Sequence, residues 1–268
     1  MESIRGKVVL LTGASRGLGP FVAEALAGAG ADLALVARSA AGLQEVAARL
    51  AAHGGRVAVI PADLAREPQR AEVVHRTVAE LGPVDVLVNN AGVENEGAFL
   101  LQRREEIREM VEVNLVAPLE LAQLVLPAMV ERRRGQIVNI ASVAGKAPLP
   151  WGAVYAASKA ALAHWARSLR LELAGSGIEI STIYPGYVRR AGMFARFGLE
   201  PPPTIGAVEP EAVAAAVLRA LTGRRRELIV SARPLRPALA LAELFPGAGE
   251  WLMHRLGAVE FQRRKARG

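Results

Sequence analysis

The chain has 268 residues, 51% of them hydrophobic, which suits a single α/β domain with a substantial core. It contains no cysteine, so disulfides, thiolate metal sites and a cysteine nucleophile are excluded. No apolar run reaches the ~18–20 residues that span a bilayer, and the first residues lack a signal-peptide pattern, so we expect a cytoplasmic protein.

The net charge of +7 is concentrated near the C-terminus. Residues 224–268 contain ten Lys or Arg and four Asp or Glu, so the rest of the chain is close to neutral. A nucleic-acid-binding domain more often spreads its basic residues over a folded face. We therefore expect a solvated basic extension and no nucleic-acid binding; weak contact with a membrane surface or another anionic partner is the alternative.

Seven short β-prone segments alternate with longer helical patterns along the chain. The predicted strands are Val8–Leu11, Leu33–Ala37, Val57–Ile60, Val84–Val88, Gln136–Ile140, Glu179–Tyr184 and Glu227–Val230. The predicted helices cover about 18–29, 40–52, 67–81, 103–133, 152–174 and 209–222. This alternation predicts a three-layer, doubly wound α/β fold with a seven-stranded, mainly parallel sheet.

The same pattern divides the chain into a core and an extension. Residues 1–231 form the predicted domain, with a substrate loop at about 187–210. Residues 232–268 form a basic extension, which we expect to be helical and to pack on the domain or on a neighbouring subunit. Ligands of such sheets bind at the carboxyl ends of the strands, where the polar and glycine-rich segments of this chain occur.

The first strand leads into the segment TGASRGLG, whose glycines are Gly13, Gly17 and Gly19. Gly13 permits a sharp turn, and Gly17 and Gly19 would let the backbone approach a pyrophosphate at the start of the next helix. Pro20 is tolerated because it falls in the first helical turn. The turn predicts a nucleotide site; a plain strand-to-helix turn is the alternative.

Arg38 follows the second strand, and Arg16 lies inside the first turn. An acidic residue after the second strand would accept hydrogen bonds from a ribose 2′-hydroxyl and repel a 2′-phosphate. Two guanidinium groups instead favour a phosphate dianion, so we predict NADP(H) rather than NAD(H). Two solvated arginines are the alternative.

Tyr155 and Lys159 lie four residues apart in YAASK and so share one helix face. A free tyrosine titrates near ~10, but an ammonium ~5 Å away at a dielectric of ~20 favours phenolate by roughly 3 kcal/mol. We therefore expect Lys159 to lower the pKa of Tyr155, which could then exchange a proton with an alcohol or carbonyl oxygen. Ser142 follows the fifth strand and could donate to the same oxygen, or it could merely cap a turn.

Asn114 precedes Pro118 by four residues within the predicted helix 103–133. Proline has no N–H, so the Asn114 carbonyl is left free to hold a water. We expect this water to link Lys159 to solvent as a proton relay.

Together these segments resemble the short-chain dehydrogenase/reductase family over roughly residues 5–190. The resemblance rests on the order and spacing of TGASRGLG, NNAG, YAASK and YPG, with Asn114 and Ser142 between them. It implies a Rossmann-type fold, an NADP(H)-dependent oxidoreductase that interconverts a carbonyl and a secondary alcohol, and a homodimer or homotetramer. It also implies a catalytic tetrad of Asn114, Ser142, Tyr155 and Lys159.

The resemblance further implies which residues contact the cofactor. Asp63 would lie at the adenine, Asn90 beside a ribose, and Lys159 at the nicotinamide ribose. Pro185, Gly186 and Val188 would line the nicotinamide. The full expected cofactor set is Gly13, Ser15, Arg16, Gly17, Leu18, Gly19, Arg38, Asp63, Leu64, Asn90, Ala91, Gly92, Tyr155, Lys159, Pro185, Gly186 and Val188.

The chain departs from the family where a threonine often follows the PG segment, because the corresponding residue is Arg190. One interpretation is that Arg189, Arg190 and Arg196 recognise an anionic substrate group; the other is that they are solvated.

The segments expected to face the substrate are 93–100, 146–154 and 193–203. Their apolar side chains indicate a fairly apolar substrate, although they could equally be core or subunit contacts; they are Trp151, Met193, Phe194 and Phe197. The extension could also cover a lipophilic entrance. The four histidines are scattered, so no metal site is expected. The alternative function is a non-catalytic dinucleotide-binding sensor or scaffold.

Overall fold

The computed structural model describes residues 3–195, 198–223 and 225–266. Seven strands of this described chain form one parallel sheet in the order β3-β2-β1-β4-β5-β6-β9. A separate pair, β7 and β8, is also parallel. The strands are β1 (Val8–Thr12), β2 (Asp32–Ala37), β3 (Val57–Pro61), β4 (Val86–Asn89), β5 (Gly135–Ile140), β6 (Ile178–Pro185), β7 (Tyr187–Val188), β8 (Ala207–Val208) and β9 (Glu227–Val230).

Helices connect the strands and cover both faces of the sheet. They are α1 (Gly19–Gly28), α2 (Ala40–Leu50), α3 (Glu67–Leu81), α4 (Arg104–Val111), α5 (Ala117–Glu131), α6 (Ala153–Glu172), α7 (Gly192–Ala195), α8 (Pro210–Gly223), α9 (Arg236–Leu244), α10 (Pro246–Arg255) and α11 (Ala258–Lys265). The predicted doubly wound α/β fold is confirmed.

The sheet builds two cores because successive side chains of a strand point to opposite faces. Val9 and Leu11 of β1 pack with α1, α2 and α8 on one face. Val8 and Leu10 pack with α3, α5 and α6 on the other. Each fully buried side chain of this size contributes about 1.5–3 kcal/mol, so the near-continuous apolar strands fix the sheet between its helices.

The order of the strands creates a crevice between β1 and β4. The chain runs outward from β1 to β3 on one side, then returns to β4 and continues outward on the other. The two strands pair directly, with Val9 opposite Val86. Helices therefore diverge from this point, and the segments after β1 and β4 meet above it.

The predicted long helix 103–133 consists of α4 and α5 joined by a π-helical turn, Glu112–Val116. The N–H of Ala117 donates to the carbonyl of Glu112, five residues earlier. Pro118 follows immediately and cannot donate a backbone hydrogen bond, which explains why the α-helical ladder is interrupted here.

One helical run of the described chain, Arg104–Glu131, is long and apolar enough to span a membrane by length and composition alone. It includes α4, the π-helical turn and α5. This run contacts α3, α6 and β5, so it packs in the layer of helices that covers one face of the sheet.

Residues 236–265 form three helices, α9 to α11. Phe261 of α11 is buried, and its ring lies 5.5 Å from that of Tyr187 between centroids. Lys265 is only 3% exposed. The expectation of a solvated basic extension is therefore wrong at Lys265, while Arg263 and Arg264 are exposed as expected.

Candidate active site

A cavity of about 810 Å³ opens above the carboxyl ends of the strands. Its wall includes every residue expected to contact the cofactor except Gly19: Gly13, Ser15, Arg16, Gly17, Leu18, Arg38, Asp63, Leu64, Asn90, Ala91, Gly92, Tyr155, Lys159, Pro185, Gly186 and Val188. Ser142 also lines it. The topology thus brings segments from the ends of six strands, β1 to β6, to one concave surface.

The glycines of the opening turn have different physical roles. Gly17 has a φ of +64°, and a Cβ added there would meet only Gly192, at 3.5 Å. A Cβ on Gly19 would lie 2.1 Å from the carbonyl oxygen of Gly13. Gly19 therefore permits close packing of α1 against the turn and does not line the cavity wall, and its expected approach to a pyrophosphate stays a prediction.

Asn90 joins the ends of β1 and β4 at the crevice. Its Nδ2 donates to the carbonyl oxygens of Thr12 at 2.9 Å and Gly13 at 3.1 Å. The Thr12 hydroxyl accepts from the backbone N–H groups of Asn90 and Ala91, each at 3.0 Å. Sequence reasoning missed Thr12, although the residue opens the quoted motif.

Arg16 and Arg38, the two arginines expected at a 2′-phosphate, both line the cavity. Arg16 is exposed, and Arg38 is 56% exposed and pairs with Glu109 at 3.4 Å. The Asp63 carboxylate, also in the cavity wall, accepts from the N–H of Ala65 at 3.1 Å. Its backbone is fixed by Gln69, so Asp63 is held at the end of β3.

Ser142 and Tyr155 both line the wall of this cavity. Ser142 accepts from the N–H of Ala144 at 3.1 Å, so it does cap a short turn. It also makes a hydrogen bond with Tyr155. The capping interpretation of Ser142 is therefore confirmed, and its donation to a substrate oxygen stays a prediction.

Burial raises the pKa of Tyr155 above its ordinary value of 10.0. The charges of Glu94 and Glu96 act in the same direction, whereas the hydrogen bond with Ser142 lowers the pKa. The expected net lowering of the Tyr155 pKa is therefore wrong for the chain as it folds here, because burial has the largest effect and raises the pKa.

Lys159 is 2% exposed and lies on the same side of α6 as Tyr155. Its Nζ donates to the carbonyl oxygen of Ile140 at 3.0 Å and lies 5.9 Å from the centre of the Tyr155 ring. Burial lowers the pKa of Lys159 to about 8, although the charge of Glu94 raises it. The ammonium group is consequently held between the end of β5 and the tyrosine.

Asn114 is fully buried in the π-helical turn and does not line the cavity. Its Oδ1 accepts from the N–H of Val93 at 2.8 Å, and its Nδ2 donates to the Val93 carbonyl at 2.9 Å and to Ser158 at 3.1 Å. The side chain therefore fixes the loop after β4. The expected water on the Asn114 backbone carbonyl stays a prediction.

Arg190 is exposed and lies outside the cavity wall. Its guanidinium pairs with Glu209 at 2.8 Å and with Glu211 at 3.0 Å, and Arg189 pairs with Glu200 and Glu209. Both arginines lie outside the cavity wall and pair with carboxylates, but exposed pairs of this kind are weak, so recognition of an anionic substrate group by these arginines stays a prediction. Arg196, the third arginine of that interpretation, lies outside the described residues.

The substrate end of the cavity is largely apolar. Met193 and Phe194 line it as expected, whereas Phe197 lies outside the described residues. Trp151 does not line it; its ring packs against Arg263 of α11, 5.6 Å from the guanidinium carbon. Much of the remaining wall comes from the C-terminal extension, through Leu235, Ala238, Leu239, Ala242, Leu252, Met253 and Leu256.

Three charged residues, Glu94, Glu96 and Lys265, are buried beside this apolar wall. Lys265 pairs with Glu94 at 3.5 Å and makes a closer contact with Glu96. Sequence reasoning missed this cluster, since nothing local distinguishes Lys265 from the arginines before it. Within the described residues, no group of three His, Cys, Asp or Glu side chains could hold a metal ion.

Comparison with known proteins gives the same family as the motifs. Residues 7–200 match the short chain dehydrogenase family. The chain is 40% identical to ketoacyl reductase HetN of a Nostoc species, over 99% of this chain and 94% of that protein.

Solved structures agree with this match. A short-chain dehydrogenase from Sphingobium yanoikuyae in complex with NADPH is 34% identical, with a TM-score of 0.77 over 92% of this chain and 95% of the other. A bulky-bulky ketone specific alcohol dehydrogenase from Comamonas testosteroni is 30% identical, with a TM-score of 0.77 over 90% and 93% of the two chains. The chain therefore belongs to the short-chain dehydrogenase family of oxidoreductases.

Proposed function

We propose that the protein is an NADP(H)-dependent oxidoreductase that interconverts a carbonyl group and a secondary alcohol, with Tyr155 as the acid and base. The observation that carries this proposal is the convergence of Ser142, Tyr155 and Lys159 in one cavity wall, which continues past Gly17 to Arg38. A proton donor and a dinucleotide-sized groove thus share one site.

The residues of the groove fit a nicotinamide dinucleotide phosphate. Gly17 leaves space beside the turn, and the start of α1 offers backbone N–H groups to a pyrophosphate. The exposed Arg38–Glu109 pair is worth about 0–1 kcal/mol, so Arg38 can exchange it for a 2′-phosphate. The relative from Sphingobium yanoikuyae, which carries NADPH, supports the same choice. The cofactor supplies or accepts the hydride when bound.

The polar residues of the site then handle the substrate oxygen and its proton. The hydroxyls of Ser142 and Tyr155 can both donate hydrogen bonds to the same carbonyl oxygen of the substrate. Because burial raises the pKa of Tyr155, the phenol stays protonated near neutral pH and serves as the general acid in reduction. Oxidation requires the phenol to lose this proton, so the rate of alcohol oxidation should increase relative to that of carbonyl reduction as the pH rises.

Lys159 and Asn114 are the residues that would return a proton to Tyr155. The Lys159 ammonium lies at the end of β5, where it can contact the nicotinamide ribose and return a proton to Tyr155. Pro118 cannot donate to the Asn114 carbonyl, which can therefore hold the relay water. The pKa of Lys159 is about 8, so we expect reduction to slow above that pH as the ammonium loses its proton.

The substrate that fits best is a carbonyl compound with an apolar body. Leu149, Met193, Phe194, Leu239 and Met253 line the end of the cavity beyond the tyrosine. Two relatives point the same way by name, one as a ketoacyl reductase and one as specific for bulky-bulky ketones.

The test is a panel of ketones of increasing chain length and bulk, assayed by loss of NADPH absorbance, with NADH in parallel. We expect turnover of apolar ketones and at least tenfold tighter binding of NADPH than NADH, about 1.4 kcal/mol. Equal or tighter binding of NADH would overturn the cofactor assignment. Binding of NADPH with no turnover of any ketone or alcohol would favour the sensor or scaffold alternative.

We further propose a cytoplasmic homodimer or homotetramer, because assembly is typical of this family. Light scattering of the purified protein tests the assembly, and a monomer at micromolar concentration would refute it. Co-sedimentation with anionic vesicles tests the weak membrane contact of the extension.

A further inference from the structure

The last helix, α11, is fastened into the protein by a buried ion-pair cluster. Lys265 lies near its C-terminal end, and its ammonium contacts the carboxylates of Glu94 and Glu96. The side chains of Glu96 and Lys265 are 4% and 3% exposed. The two glutamates belong to the loop after β4, which Asn114 holds from the opposite side through Val93.

Two further contacts tie α11 to the substrate end of the cavity. Gln262 donates to the hydroxyl of Tyr187 at 2.6 Å, in the segment after β6. The ring of Phe261 lies 5.5 Å from that of Tyr187 and 6.1 Å from that of Phe194, between centroids. One helix therefore braces the loop after β4, the segment after β6 and the start of the substrate loop.

Glu94 connects this brace to the reacting groups. It lines the cavity, as do Gln262 and Lys265, and its charge acts on both Tyr155 and Lys159. A displacement of Lys265 would therefore move a wall of the cavity and also change the charge that faces the tyrosine.

We propose that Lys265 is a positioning residue of the active site, which holds Glu94 and Glu96 in place and thereby docks α11 as the closing wall of the substrate end. The inference rests on the proposed function for its catalytic consequences. The docking of α11 is independent of that function and can be measured separately.

The charge balance of the cluster explains how it tolerates burial. Two carboxylates and one ammonium would leave one uncompensated negative charge in a buried site. Burial and the neighbouring Glu94 together raise the pKa of Glu96 to about 8 although Lys265 lowers it, so one carboxyl keeps its proton near neutral pH. Among the described residues, Glu96 also interacts electrostatically with three other titratable groups, those of Lys265, Tyr155 and Tyr187.

The first test compares Lys265→Met with Arg264→Met, the adjacent exposed position on the same helix. Methionine preserves most of the apolar stem and removes the charge. For Lys265→Met we expect the KM for an apolar ketone to rise at least tenfold while the Kd for NADPH changes less than twofold. For Arg264→Met both constants should stay within twofold of wild type. A KM within twofold of wild type in Lys265→Met overturns the proposal.

The second test uses Glu96→Gln, because glutamine at position 96 stays uncharged at every pH, as the protonated glutamic acid does near neutral pH. Its KM should match wild type at pH 7, and it should stay flat to pH 9 where the wild-type KM rises. This split is a readout that a loss of general stability would not produce. Identical pH profiles for Glu96→Gln and wild type would count against the proposal, and this variant decides the matter if Lys265→Met does not fold.

Hydrogen exchange separates this inference from the proposed function. Faster exchange, by tenfold or more, at residues 93–98 and 258–265 in Lys265→Met but not in Arg264→Met supports docking by the cluster. Unchanged exchange overturns it. If wild type reduces none of the ketones, the proposed function fails, and the exchange result alone decides whether Lys265 holds the helix.

Discussion

The two ends of the cavity are assembled in different ways. At the dinucleotide end, Thr12 and Asn90 join two adjacent strand ends, and the parallel topology brings them together. At the substrate end, Glu96 and Lys265 are 169 residues apart in the chain and meet only because α11 returns to the site. The first end depends on backbone geometry encoded in short segments, and the second depends on long-range packing.

This difference predicts where mutations act. Changes at the dinucleotide end should alter the chemical step or cofactor affinity, because those side chains sit on rigid strand ends. Changes at the substrate end should alter substrate affinity and docking of the extension.

Tyr155→Phe should cause the greatest loss. Removal of one hydroxyl eliminates the general acid, which typically contributes about 10²–10⁴-fold in kcat. The ring remains, so the Kd for NADPH should change less than threefold. Steady-state kinetics with an apolar ketone and a fluorescence titration of NADPH measure the two quantities.

The matched control is Tyr184→Phe, a buried tyrosine that does not line the cavity. It should retain kcat within threefold. A Tyr155→Phe variant that kept more than a tenth of the wild-type kcat would mean that another group supplies the proton.

Arg38→Ala should weaken NADPH binding by roughly 10–100-fold, since a charge-assisted hydrogen bond contributes about 1.5–3 kcal/mol. NADH has no 2′-phosphate, so its Kd should change less than twofold. Titrations of both cofactors give the ratio directly. Arg49→Ala, at an exposed position of α2, is the control and should leave both affinities unchanged. An equal loss for both cofactors would place Arg38 away from the 2′-phosphate.

Gly19 and Gly247 compare backbone packing at the two ends. A Cβ at position 19 would lie 2.1 Å from the Gly13 oxygen, whereas at position 247 it meets no described atom within 4 Å. Gly19→Ala should lower the free energy of unfolding by about 1–3 kcal/mol. Gly247→Ala, within α10, should leave it unchanged or raise it by less than about 1 kcal/mol. Urea denaturation measures both, and equal effects would deny that the opening turn is the more tightly packed end.

The sequence predicts the dinucleotide end well because its signals are local. Buried parallel strands appear as continuous apolar runs, and the order and spacing of the motifs resemble those of the family, which implies the tetrad. Tyr155, Lys159 and Ser142 accordingly lie where the motifs indicate. Spacing alone does not reveal that Gly19 is needed for close packing against the Gly13 carbonyl, because that contact depends on how the turn folds.

The substrate end resists prediction for physical reasons. Periodicity identifies a helix face but not its partner, so Lys265 resembles the exposed Arg263 and Arg264 beside it. The pKa of Tyr155 shows the same difficulty. A charge four residues away is visible in the sequence, but burial of the phenol depends on the whole packed site and has the larger effect.

Arg190→Ala should have the smallest effect on catalysis, although Arg190 stands where the family often has a cofactor-contacting threonine. Its side chain is 58% exposed and pairs with Glu209 and Glu211, so its removal leaves the cavity wall intact. Exposed pairs contribute about 0–1 kcal/mol, and kcat/KM should therefore stay within twofold of wild type. A tenfold loss of kcat/KM with unchanged stability would show that Arg190 turns inward during turnover, and the dinucleotide end would then depend on more than its strand ends.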